Sequence, residues 1–65
     1  MIKVRIEEIE DSLVFETEVP VLPKLNHKIG AWFNGTYCLC DINDIIHEFD
    51  EDGKFLLVEI GVIAQ

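Results

Sequence analysis

Sixty-five residues with thirteen acids against five bases, a net charge of −8, make one domain spanning 1–65 and repel a phosphate backbone, which disfavours direct nucleic-acid binding. Apolar residues make up 49% of the chain, enough for a small core and too many for a disordered tail, while no apolar run reaches the roughly 18 residues of a membrane helix. The charged, alternating start MIKVRIEEIE is unlike a signal peptide, so the cytoplasm is the expected compartment and Cys38 and Cys40 are expected as reduced thiols.

The first run alternates Ile2, Val4 and Ile6 with Lys3, Arg5 and Glu7, the period-two pattern of a half-buried strand over 2–9. Glu10-Asp11-Ser12 breaks it, and Leu13, Phe15, Thr17 and Val19 resume it over 12–19, giving a hairpin with one wet face. PVLP at 20–23 then stops the strand or holds it to an edge, because proline donates nothing to a sheet ladder. IGAWF at 29–33 leads into Asn34-Gly35 and TYCLCDI. Asn-Gly between apolar runs marks a two-residue hairpin, since both residues tolerate the positive φ of a type I′ turn.

The segment DINDIIHEF admits two readings. Ile42, Ile45, Ile46 and Phe49 are spaced as a helical stripe with Asp41 as N-cap. Against a helix stand the β-branched isoleucines and a length of about two turns. The strand from Thr36 is therefore expected to continue to 48, kinked by a bulge near Asn43-Asp44. A turn at Asp50–Gly53 precedes a last strand over 54–63, too apolar on both faces to lie anywhere but centrally. Five short strands in meander order predict an all-β, SH3-like barrel that closes its own edges.

The stretches PVLPKLN, AWFNGTY and IIHEFDEDGKFLLVEIGV resemble short uncharacterised proteins of gut bacteria and their phages. The resemblance covers most of the chain, implies the same fold and brings no activity with it. Where those relatives carry glycine in the proline loop, this chain has Leu25-Asn26, and asparagine is able to take the left-handed conformation in its place.

Four constellations invite chemistry. With Gly53 at the sixth place of a calcium loop, Glu48, Asp50 and Asp52 fall at positions one, three and five and Glu59 at twelve. Flanking helices are not in prospect, Leu56 occupies position nine, and a strand from Lys54 would carry Glu59 roughly 20 Å from the turn. A hairpin turn is the better reading, with at most weak surface binding of a divalent ion by Asp50 and Asp52. Cys38 and Cys40, with His27 and His47 elsewhere, suggest zinc or a thiol nucleophile. Sulfurs two apart in a strand stand about 7 Å from one another, at the limit of one tetrahedral ion. Thr36, Cys38, Cys40 and Ile42 read instead as one inward core face. PVLP has the spacing of an SH3 ligand but reads as a loop leaving a sheet edge.

The last constellation is a window from Val19 to Cys40 that contains no acid and holds Trp32, Tyr37, Lys24 and Lys28. Either the two aromatics pack on the core and its rim, or they form a binding patch beside the lysines. The sequence therefore points to a non-enzymatic interaction module without a cofactor, encoded by a phage or mobile element, whose partner is another protein or a second copy. A second expectation is a nucleic-acid mimic, in which the acids of 7–18 and 41–52 block a basic groove. Calcium or zinc binding is a third.

Overall fold

Alternating side chains carry five segments into strands in the computed structural model, which describes residues 1–65. They are β1 (Ile2–Glu8), β2 (Leu13–Val19), β3 (Lys28–Phe33), β4 (Thr36–Phe49) and β5 (Phe55–Ala64). One sheet holds them in the order β2-β1-β5-β4-β3. It curls into a half-barrel of the small SH3-like kind. The strongly apolar β5 lies at the centre, parallel to β1 and antiparallel to β4. The order is thus a meander only from β3 to β5, and β1 returns to the far side of β5.

The concave face is the core: Val4 and Ile6 from β1, Ala31 and Phe33 from β3, Cys40 and Ile42 from β4, and Val58, Ile60 and Val62 from β5. The inward row on β4 begins at Cys38, since Thr36 at the hairpin is exposed. The expected bulge lies where the register steps from Ile42↔Val62 to Asp44↔Gly61. It also explains the helical look of this segment. One extra residue shifts the alternation, so Ile42 is buried and Ile45, three residues on, packs on the same core. A spacing of three in a bulged strand imitates the period of a helix.

The half-barrel does not close its own edges, contrary to the sequence expectation. β2 and β3 end the sheet on either side, and the chain between them is the proline loop, which cannot supply a ladder. Side chains bridge the gap instead. Phe15 of β2 meets Phe33 of β3 with ring centroids 5.4 Å apart, and Leu22 of the loop packs against the core.

The turns follow their residues. Asn34 (φ 51°) and Gly35 (φ 81°) are both left-handed, as a type I′ turn requires. At the β4–β5 turn Gly53 has φ 82°, and its N–H donates to the Asp50 carbonyl at 3.0 Å. Asn26 does not use the left-handed conformation open to it: outside glycine only Ser12 and Asn34 have positive φ. The loop is tied otherwise, by His27 N–H on the Lys24 carbonyl at 2.9 Å and the Lys24 N–H on His27 Nδ1 at 3.1 Å.

Candidate interaction surface

The β3–β4 hairpin presents its convex face to solvent. The register pairs Trp32 with Tyr37, Gly30 with Leu39 and Lys28 with Asp41, so these side chains form two short rows. The Trp32 and Tyr37 rings meet edge to face at 5.6 Å. Trp32 is 68% exposed and Tyr37 54%, with Leu39 beside them at 42%. Both rings are therefore on the solvent side and neither packs on the core. Gly30 is the socket for this arrangement. A Cβ there would run into the Tyr37 hydroxyl and stand 2.9 Å from its Cζ, so the tyrosine lies across the strand only because position 30 has no side chain.

Lys28 is not a free cation beside the aromatics. Lys28 Nζ donates to Asp41 at 2.6 Å. That hydrogen bond, with a second from Gln65, holds the Asp41 carboxyl below its usual range. The acid-free stretch of sequence is therefore not acid-free in space, because β4 brings Asp41 alongside it. Lys24, in the loop before β3, makes no ion pair.

On the concave side, a groove of about 580 Å³ runs between β2 and β3. Ile6 and Ile60 form its floor, Phe15 and Val19 one wall, Ile29 and Ala31 the other. The proline loop contributes Pro20–Pro23 to its lining. Sequence reading missed this groove, because its walls are ordinary inward positions of two strands and become a groove only when the strands fail to pair. A further apolar cluster was also missed: Phe49 and Phe55, ring centroids 5.9 Å apart at the β4–β5 turn, are 57% and 46% exposed.

The remaining candidates are dispersed. Asp50 Oδ1 accepts the N–H groups of Asp52 and Lys54 at 2.9 and 2.8 Å, the work of a turn residue. Glu59 is well along β5, where Arg5 Nη1 donates to it at 3.0 Å, while Glu48 faces Leu57 across the β4–β5 ladder. Cys38 is half-buried and Cys40 fully buried, both unbridged. Burial, then the neighbouring Cys38 and the acids Glu8 and Asp41, push the Cys40 thiol up, away from the thiolate that a nucleophile or metal ligand needs.

The acids are spread along the sheet, with Glu7, Asp44 and Glu59 together around Arg5 on the outer face and others at both ends. The parallel register sets Glu8 beside Val62 and so puts Glu10 and Asp11 at the end of β5, whereas Asp50–Asp52 precede its start. Glu8 is not on the surface at all. It is 2% exposed, and its carboxylate accepts the N–H groups of Glu10 and Asp11 at 3.2 and 2.8 Å. The chain has no helix long and apolar enough to cross a membrane. Comparison of the chain with protein-family models, with curated proteins and with solved structures found no match.

Proposed function

We propose that this is a non-enzymatic protein-interaction module that engages a protein partner or a second copy through the Trp32–Tyr37 face of the β3–β4 hairpin. The exposed aromatic pair carries this reading. A tryptophan and a tyrosine held edge to face, with Leu39 adjoining, on the solvent side of a sheet whose other side is already packed, satisfy no need of the core. Trp and Tyr are the residues that dominate binding energy at interfaces. A location in the cytoplasm and an origin in a phage or mobile element are in keeping with the same reading.

Two facts weigh against the nucleic-acid mimic. Its carboxylates would need one continuous face; Glu7, Asp44 and Glu59 do lie together, but Glu10 and Asp11 lie at the opposite end of β5 from Asp50–Asp52. Arg5 and Lys3 also draw on Glu16 and Glu59, which leaves that part of the outer face mixed in sign.

Trp32→Ala tests the proposal. Because the ring is exposed, circular dichroism and melting temperature should stay close to wild type. Binding should fall by about 2 kcal/mol or more, the usual cost of truncating an interface aromatic. Sedimentation reads the effect on self-association. Proteins captured by the wild type and lost by the variant read the effect on a partner. Lys24→Glu should mainly slow association, and more so at low salt. A folded Trp32→Ala protein that captures the same proteins and sediments as before would end this reading.

A further inference from the structure

We propose that the groove between β2 and β3 is a second binding site, which receives an extended segment of a partner protein as a sixth strand. That segment is apolar at every second residue and basic at the residues between. The groove opens on the opposite side of the sheet from the Trp32–Tyr37 pair, although the outer face of a bound strand would adjoin Trp32.

The backbone makes the first argument. β2 and β3 are the two ends of the sheet, so every second residue of each points an N–H and a C=O away from its single neighbour. Such edges are normally blunted by proline, by an inward-pointing charge or by a covering segment. Neither strand contains proline, and their inward rows are Leu13, Phe15, Thr17, Val19 and Ile29, Ala31, Phe33, with no charge among them. The proline loop leaves one end of the groove and Phe15–Phe33 closes the other, but neither supplies a ladder. One inserted strand would pair along both edges and complete the barrel.

The occupant's chemistry follows from the two faces it would join. Its inward side chains would lie over Ile6 and Ile60 and between Val19 and Ile29, which calls for apolar residues at alternate positions. Its outward side chains would stand between the outer row of β2, where Glu16 and Glu18 are exposed, and that of β3, where Lys28 is already neutralised by Asp41 and is followed by Gly30 and Trp32. Glu16 is shared with Arg5 and Lys3, and Glu18 has no ion-pair partner. Opposite charges directly across a strand pair stabilise it and like charges do the reverse, so the outward residues are lysine or arginine. A second copy suits the site poorly. Pairing β2 with β2 would set Glu16 and Glu18 against each other on two chains of net charge −8. Pairing β2 with the β3 of another copy would leave fresh edges free at both ends, an open chain and not a closed pair.

The test uses the whole chain, labelled with nitrogen-15, and a synthetic peptide, acetyl-Lys-Val-Lys-Val-Lys-amide, matched to the stretch of β2 from Phe15 to Val19 that lines the groove. The expected result is a set of shifts at Thr17, Val19, Ile29 and Ala31, with slowed exchange of the edge amides of β2 and β3. The same peptide N-methylated at its lysines keeps charge and side chains but loses the donors of one edge, and should bind about tenfold or more weakly. Replacing its lysines by glutamate should abolish binding, and Glu18→Lys should restore part of it. Thr17→Lys, at an exposed position on the groove wall, should weaken the lysine peptide with the circular dichroism unchanged. Trp32→Ala, on the outer row of the same edge strand, should weaken the peptide less than Thr17→Lys does and leave the shifts at Thr17, Val19 and Ile29 in place, which separates this site from the aromatic face. Equal binding of the N-methylated peptide, or equal binding of the glutamate peptide, would overturn the proposal. So would shifts confined to the outer acids, or the same shifts appearing without peptide as the protein is concentrated, which would identify a second copy as the occupant.

Discussion

The carboxylate of Glu8 is the one charged group taken into the core, and it is there to receive the N–H groups of the β1–β2 turn. Hydrogen bonds to a charged acceptor are worth about 1.5–3 kcal/mol each, net of what water would supply. Glu8→Ala should therefore lower the urea unfolding free energy by about 2 kcal/mol, whereas Glu8→Gln, whose amide oxygen still accepts, should lose less. Equal losses would mean that the side chain matters only for the space it fills. The alternation of β1 already assigns position 8 to the inner face, but its role depends on where the turn aims two N–H groups, which composition does not express. Asp41 makes a prediction in pH. Lys28 and then Gln65 depress its carboxyl, so the folded value lies below the unfolded one, about 3.9. The resulting stability is present above about pH 4 and is lost as pH falls through the folded value. Unfolding midpoints measured from neutral pH down should decline less steeply below that point in Asp41→Asn than in the wild type. Near neutrality the two should differ little, because the pair is exposed.

At the scale of the elements, the Asn34-Gly35 turn decides how β3 meets β4. A Cβ at Gly35 meets nothing within 4 Å, so Gly35→Val isolates the backbone cost of a left-handed residue, about 1–2 kcal/mol. At about 4–8 °C per kcal/mol for a domain this small, its thermal midpoint should fall visibly, and that of Asn34→Ala by less. Neutrality of both changes would contradict the turn. This hairpin, all five strands and the bulge at 42–44 were legible in the sequence, because each rests on local preference: period two, Asn-Gly, Asp and Gly at the second turn. What stayed illegible depends on pairs distant in the chain. Nothing local says that β1 should return alongside β5, that Tyr37 should need an empty position 30, or that Lys28 should find Asp41. The exposure of Trp32 was open for the same reason: its alternation partners Ala31 and Phe33 face inward, and only the failure of another layer to cover the convex face leaves the indole in water.

For the molecule as a whole, the parallel seam between β1 and β5 ties together residues as far apart as Arg5 and Glu59, 54 positions distant. The β3–β4 and β4–β5 pairs are hairpins that can zip up from their turns, but β1 gains its partner only by closing a loop of most of the chain. Closing long loops costs entropy before any contact repays it, which is why non-local pairing slows folding. A conservative change within the hairpins, Ile45→Val, is expected to act mainly on the refolding rate in stopped-flow measurements. Val4→Ala in β1 is expected to act mainly on the unfolding rate, since its contacts form after the barrier. The reverse pattern would place the seam in the folding nucleus. The same topology bears on synthesis. While a ribosome is still making this chain, β1 and β2 have emerged and formed at most a lone hairpin, which is marginal in water. Their apolar inner rows must wait for β5, the last of the five strands to be translated. Ile2, Val4, Ile6 and Phe15 are thus exposed together throughout translation, and Lys3, Arg5 and the acids around them act as solubilising flanks during that interval as well as in the finished fold.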